Sequence, residues 1–204
     1  TPCLQFSHTA YDYIYDMGHY FFKKLIAGND PLLFQEQQLV RAYEDLEKKL
    51  DGSYFDYYDV SLGNLNKIVD KGIFVSSPLE DNLHLAQKLA KNGQLDRFEC
   101  ALDLGGGLLH ALSPLALRGL RGISLEADQE LCQKAAEFLA DLEDDHGLKL
   151  NIQIKRLNLL KYAYLQHKTP VLLYYFANHT PQEITDIFNF IGARLPAQSR
   201  LIYR

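Results

Sequence analysis

The sequence has no tryptophan, one methionine and only three cysteines among its 204 residues. Cys3, Cys100 and Cys132 are scattered, and they have neither the paired spacing of a zinc motif nor the even number of a disulfide framework. We therefore predict no metal site from the sequence. The same scarcity of cysteine favours a reducing, cytoplasmic environment.

Long apolar runs and an excess of basic residues are also missing. No run of about 18 apolar residues is present, and the first residues, TPCLQFSHTAYDYIYD, lack the basic and apolar regions of an export signal. The missing apolar run leads us to expect no membrane-spanning segment. Because the net charge is -5 at pH 7, we do not expect non-specific binding to nucleic acid. A small basic group is interpreted as solvated surface: Lys155, Arg156, Lys161 and Lys168.

The first 95 or so residues show the spacing of amphipathic helices. An N-cap and first-turn pair, Asp30-Pro31, begins a stripe that runs to Gly52. The stripe consists of Leu32, Leu39, Tyr43, Leu46 and Leu50. Other helices are predicted before Gly28, over 61–71, and from the capping box SPLE at 77–80 to about Asn92-Gly93. An aromatic group at 54–58 is interpreted as core, and the alternative is a binding surface.

From Glu99 onward, short apolar strands alternate with helices. Strands are predicted over 100–104, 122–126, 150–154, 171–176 and 200–203. The clearest helices start at Asp128 and at the capping box TPQE, 180–183. This alternation predicts an α/β fold, a doubly wound and mostly parallel sheet. We divide the chain into an N-terminal helical region, 1–76, and a Rossmann-like domain, 77–204.

The stretch LDLGGGLLHAL carries the strongest functional signal. Gly105, Gly106 and Gly107 follow the first strand, at the edge of the sheet where ligands bind if that strand is central. Glu126 ends the second strand about twenty residues later, where a carboxylate can accept the hydroxyls of a ribose. Taken alone, the glycine run is also compatible with a simple tight turn, and Glu126 is also compatible with a helix-capping or exposed carboxylate. Together they indicate a ligand that contains adenosine.

The loop fits one class of adenosine ligand better than another. A dinucleotide site requires G-x-G-x-x-G, but the sixth position is His110, and Leu108 and Leu109 crowd the helix start. The segment 102–107 instead resembles motif I of the class I S-adenosylmethionine-dependent methyltransferases, and the resemblance continues through GISLEAD to cover about half the chain.

The resemblance implies a set of cofactor contacts. Asp103 would face the amino acid end of S-adenosylmethionine, Gly105, Gly106 and Gly107 would shape the loop, and Glu126 would hold the ribose. Asn158 stands where the family often has an aspartate facing adenine; its amide oxygen can accept a hydrogen bond, or the residue is simply part of a turn.

Three features depart from the family pattern. Leu109 replaces the third glycine and would narrow or reshape the methionine end of the pocket. Pro114 would interrupt the helix that should follow. The sequence stops at the fifth strand, so we expect the antiparallel pair that normally completes the sheet to be absent or to lie outside this chain.

The loop after the fourth strand, YYFANHT, is where the family places residues that face the acceptor. His179 is the candidate base and Tyr175, with Tyr174, a candidate lining residue. The alternative is that His179 is solvated and that at least one tyrosine belongs to the core.

Three functions are compatible with these residues. The resemblance implies a methyltransferase that acts on a protein side chain or a small molecule. An aminocarboxypropyl transferase, similar to nicotianamine synthase, would use the same cofactor. A non-catalytic relative would have lost the cofactor and would act as an interaction module.

Overall fold

A computed structural model of the chain describes residues 31–50, 79–175 and 181–203. Several predictions lie outside these residues: the helices before Gly28 and over 61–71, the aromatic group at 54–58, and His179. Two helices precede the sheet in the described part, α1 (Pro31–Lys49) and α2 (Leu79–Lys91). None of the helices in the described ranges is both long and apolar enough to cross a membrane.

The sheet has five parallel strands in the order β3-β2-β1-β4-β5. The strands are β1 (Ala101–Leu104), β2 (Gly122–Glu126), β3 (Ile152–Arg156), β4 (Leu172–Tyr175) and β5 (Arg200–Tyr203). The chain winds outward from β1 to β3 and then returns to β4 on the other side of β1. The predicted doubly wound α/β fold is therefore confirmed, with β1 at the centre and the strand order reversing between β1 and β4.

The third strand begins two residues later than the predicted range of 150–154. Its register explains the shift, since Gly122 pairs with Ile152 and Glu126 pairs with Arg156. The alternating apolar pattern fits both positions, but only pairing along the whole of β2 selects one. Lys155 and Arg156 consequently belong to the strand, although Arg156 is exposed as expected.

Among the described residues, three α-helices connect the strands: α3 (Leu112–Leu117), α4 (Gln129–Asp144) and α5 (Pro181–Gly192). Helix α4 begins as predicted, because the Asp128 carboxylate accepts a hydrogen bond of 3.0 Å from the Leu131 N–H. The expected helix between β3 and β4 is wrong. That connection contains two short 3-10 turns, Leu159–Lys161 and Tyr164–Gln166.

Two apolar layers cover the sheet. One face packs against α5 and the connection after β3, through residues such as Leu102, Leu104, Leu173 and Tyr175. The other face packs against α2, α3 and α4, through Ala101, Leu172 and their neighbours. The buried strand residues lie on both faces, as expected for a sheet with helices on each side.

Helix α1 packs outside the second layer. Leu39, Tyr43 and Leu46 are buried against residues of α2 and α4, as the predicted stripe requires. Leu32, which we placed in the same stripe, is exposed. Helix α2 ends at the predicted point, where Gly93 adopts a φ of 61°.

A buried polar network joins α1 to the helices beneath it. The Arg118 guanidinium donates to the Glu36 carboxylate, and both side chains are less than one tenth exposed. The Gln87 amide also donates to both Glu36 oxygens, at 3.1 and 3.0 Å. The network therefore connects α1, α2 and the end of α3.

Candidate functional site

The glycine loop after β1 follows a backbone path that suits glycine at several positions. Gly105 has a φ of 92° and Gly107 a φ of 44°, both in the left-handed region. A Cβ atom on Gly105 would meet nothing within 4 Å, so one side of the loop is open. Because β1 is central, this opening lies at the carboxyl edge of the sheet.

Leu109 has a backbone conformation that usually favours glycine. Its φ is 67°, which costs a non-glycine residue about 1 to 2 kcal/mol. Its side chain is fully buried among residues of α2, α3 and the sheet. The expectation that Leu109 narrows the pocket is thus corrected, because the side chain turns into the core.

Pro114 does not interrupt a helix. It lies in the first turn of α3, which begins at Leu112. A proline is tolerated there because the first N–H groups of a helix have no partner within the helix. The expected interruption is therefore wrong, because the helix begins only two residues before the proline.

Glu126 lies beside the glycine loop. One of its carboxylate oxygens accepts a hydrogen bond of 3.1 Å from the Gly107 N–H, and the other accepts one of 2.9 Å from the Asp128 N–H. Each carboxylate oxygen has two acceptor sites, so both can accept a further hydrogen bond. The structure brings Glu126 and the loop together, as the sequence predicted.

Asp103 lies beneath the loop and is 4% exposed. It pairs in register with Ser124 on one side and Tyr174 on the other, so the three side chains share one face of the sheet. Burial, and then the negative charge of Glu126, raise the pKa of Asp103 to about 7. A carboxyl group that titrates near neutrality therefore lies under the candidate site.

Gly106 fits against β2 without space for a side chain. A Cβ atom at this position would overlap the Ser124 hydroxyl and would lie 2.9 Å from the Ser124 Cβ. The Ser124 hydroxyl is fully buried and has no hydrogen-bond partner among the described residues. Close contact between loop and strand is thus the reason for glycine here.

We expect Gly106→Ala to lower the free energy of unfolding by about 1 to 3 kcal/mol, because the added methyl group overpacks the contact with Ser124. Urea unfolding of the variant in the wild-type and Ser124→Gly backgrounds measures this. The cost should fall in the second background, where the blocking side chain is gone. Gly105→Ala is the control, since its cost comes from backbone strain and should not depend on Ser124. An equal cost of Gly106→Ala in both backgrounds would contradict the packing explanation.

Helix α1 supports the loop from outside the sheet, which the sequence did not reveal. The Tyr43 hydroxyl donates a hydrogen bond of 3.0 Å to the Leu108 carbonyl and lies 3.1 Å from the Ser113 hydroxyl. The Tyr43 ring packs against His110, with centroids 4.4 Å apart. Burial lowers the pKa of His110 to about 4. The helical pattern predicted that Tyr43 is buried, but not that it contacts the loop.

The remaining predicted site residues are less closely grouped. Asn158 is exposed, and its side-chain oxygen accepts a hydrogen bond of 2.9 Å from the Leu160 N–H, so it caps a turn. Tyr174 is buried and donates to Asn82 at 2.8 Å. Tyr175 is fully buried on the opposite face, edge-on to Phe188. The cofactor role of Asn158 and the catalytic roles of Tyr175 and His179 stay predictions.

Known proteins resemble the chain in structure only. No protein-family model matches the sequence, and a search of curated proteins finds no match. Among solved structures, an RNA methyltransferase from Salinibacter ruber in complex with S-adenosyl-L-homocysteine is 19% identical, with a TM-score of 0.45 over 63% of this chain and 76% of that one.

Two further methyltransferases give similar values. Magnesium protoporphyrin IX methyltransferase from Synechocystis PCC 6803, with bound S-adenosylhomocysteine, is 15% identical, with a TM-score of 0.49 over 80% of this chain and 65% of that one. The CcbJ methyltransferase from Streptomyces caelestis is 18% identical, with a TM-score of 0.49 over 67% of this chain and 53% of that one, about half its length. The likeness to these enzymes is one of fold.

Proposed function

We propose that the chain binds S-adenosylmethionine at the carboxyl ends of β1 and β2 and acts as a methyltransferase. The observation that carries the proposal is the contact between the Glu126 carboxylate and the Gly107 N–H, beside the open face of Gly105. This contact joins a ribose acceptor and a glycine loop in one site, at the edge where an open parallel sheet binds its ligands.

The residues present suit the ribose and the adenine of this cofactor. Glu126 offers a free acceptor site on each oxygen to the two ribose hydroxyls. Gly105 leaves room for the ligand to approach the backbone, since no side chain stands there. Asn158, at the end of β3, would contribute its amide group to the adenine side, in addition to capping its turn.

Methyl transfer from this cofactor requires little acid, base or nucleophilic catalysis by the protein. S-adenosylmethionine supplies a methyl group that already has a good leaving group, so the chain has to hold donor and acceptor in line and exclude water. In this proposal the sheet unit, 77–204, binds the cofactor, and the helical region, 1–76, contributes to the acceptor side. The acceptor is a protein side chain or a small molecule, and the protein is cytoplasmic.

Calorimetric titration with S-adenosylmethionine and S-adenosylhomocysteine, with NAD as the control, tests the proposal. Micromolar binding of the first two and none of NAD is the expected result. A folded sample that binds neither sulfur ligand would refute the proposal and favour a non-catalytic interaction module.

Glu126→Ala should weaken the binding of S-adenosylhomocysteine by about 1 to 3 kcal/mol, which is about 5- to 150-fold, because two ribose hydroxyls lose a charged partner. Glu137→Ala, the same change on the exposed surface of α4, should leave affinity unchanged.

A ligand change separates the ribose contact from a general effect on the loop. The 2′-deoxy analogue of S-adenosylhomocysteine should bind the wild type more weakly than the parent compound. In Glu126→Ala the two compounds should bind alike, since the partner of the missing hydroxyl is gone. If the variant still discriminates between them, Glu126 does not hold the ribose.

A further inference from the structure

A second group of chemically reactive side chains lies at the opposite edge of the sheet. Glu99 and Cys100 immediately precede β1, and His167 lies in the connection between β3 and β4. Because the strands are parallel, their amino ends share one edge, away from the glycine loop. Cys100 is fully buried and the His167 side chain is 1% exposed.

The three side chains direct donor atoms toward one point. The Cys100 Sγ lies 4.0 Å from the His167 Nδ1, which lies 3.3 Å from the Glu99 Oε1. All three atoms are within 4.8 Å of one another. In a tetrahedral zinc site the ligand atoms are about 3.3 to 3.8 Å apart, so small side-chain movements would suffice.

The neighbours of the group hold its members in place. The Tyr162 hydroxyl lies 3.0 Å from the His167 Nε2, and the Thr169 hydroxyl donates to the Glu99 Oε2 at 3.0 Å. A partner on the second ring nitrogen of a histidine, and on the second oxygen of a carboxylate, is the usual support of metal ligands. Without a metal, Nδ1 carries the proton and faces the Glu99 carboxylate. In the metal-bound form Nε2 would carry the proton and donate it to the Tyr162 hydroxyl, which leaves the Nδ1 lone pair for the ion.

Arg121 is the cation that now pairs with the Glu99 carboxylate. Its guanidinium donates to the Glu99 Oε1 at 3.0 Å, and its side chain is 43% exposed. An exposed guanidinium can move into solvent when a stronger cation arrives. A thiolate and a carboxylate together balance the charge of a divalent ion.

We propose that Glu99, Cys100 and His167 form a zinc site in which a water molecule takes the fourth position. One sulfur, one imidazole nitrogen and one carboxylate oxygen suit Zn²⁺, a borderline-soft ion with tetrahedral preference. Binding would tie the start of β1 to the connection that precedes β4. The spacing of the cysteines did not predict this site, because only one cysteine takes part and the histidine is 67 positions away.

The experiment is a metal titration of the full chain after treatment with a chelator. One equivalent of Zn²⁺ should bind per chain, and Co²⁺ in its place should give a thiolate-to-cobalt charge-transfer band. Cys100→Ser should abolish the band, whereas Cys132→Ser and Cys3→Ser should retain it. Glu99→Gln and His167→Gln should each weaken Zn²⁺ binding at least tenfold.

Substitution of the buried residues Cys100 and His167 can destabilise the fold, and a destabilised variant would also bind less metal. Thermal unfolding without metal checks that each variant folds. Glu99→Gln is the variant that decides if the buried substitutions fail, because its side chain is 34% exposed. Absence of a charge-transfer band in the wild type, or equal Zn²⁺ affinity of the wild type and Glu99→Gln, would overturn the proposal. The result does not depend on whether the chain binds S-adenosylmethionine.

Discussion

Glu36→Ala is expected to lower the free energy of unfolding by about 3 to 5 kcal/mol, because it leaves the Arg118 guanidinium buried without its carboxylate. The Arg118 side chain is 5% exposed. Its Nε and Nη1 atoms have no other hydrogen-bond partner among the described residues. Urea unfolding at neutral pH measures the loss.

Two controls identify the cause. Asp141→Ala removes an ion pair of 2.7 Å with Lys49 whose side chains are both more than 40% exposed, and it should leave stability nearly unchanged. The double variant Glu36→Met, Arg118→Met removes both buried charges and should recover most of the loss, since apolar side chains of similar size suit the site. If the single variant were as stable as Asp141→Ala, the guanidinium would have to be hydrated in the folded protein.

Asp103→Asn should make the protein more stable than the wild type at pH 8, by up to about 4 kcal/mol, and about equally stable near pH 4. Burial raises the pKa of Asp103 from an ordinary value of 3.8 to about 7. Between these values the folded state holds a proton that the unfolded state has released. Stability therefore falls as the pH rises through this window, and the asparagine variant lacks that fall. Urea unfolding from pH 4 to pH 8 measures the difference.

His110 produces the opposite trend in the wild type. Its pKa is lowered from 6.5 to about 4, so between these values the unfolded state holds the extra proton and stability rises with pH. The two residues therefore change the free energy of unfolding in opposite directions as the pH rises. In Asp103→Asn only the effect of His110 remains, so the stability of this variant should increase from pH 4 to pH 6.5. Glu126→Gln removes the second cause of the Asp103 shift and should narrow the window in which stability falls. Parallel curves for the wild type and Asp103→Asn would contradict the prediction.

Local patterns were sufficient for most of the fold. The apolar run before Gly105 and the cap at Asp128 gave correct elements because each depends on neighbours in the chain. The site residues Asp103 and Glu126 were brought to one edge for a topological reason, since the carboxyl ends of neighbouring parallel strands meet there. The start of β3 was missed because its register depends on pairing with β2.

The contacts that position the site could not be predicted in this way. Tyr43 contacts a carbonyl 65 positions later, and Glu36 pairs with a residue 82 positions away. A helical stripe indicates which face is buried, but it carries no information on the partner of that face. The fit of Gly106 against Ser124 likewise depends on how two strands lie side by side, not on either residue alone.

The hydrogen bond from Tyr43 to the Leu108 carbonyl has a consequence for ligand binding. Detachment of α1 from the helices beneath it would break that bond and the ring contact with His110, and the glycine loop would lose both contacts. A ligand that binds only the folded loop stabilises it by about 2.7 kcal/mol at a concentration 100 times its Kd. By thermodynamic linkage, that ligand would resist the detachment of α1 without touching any residue of the helix.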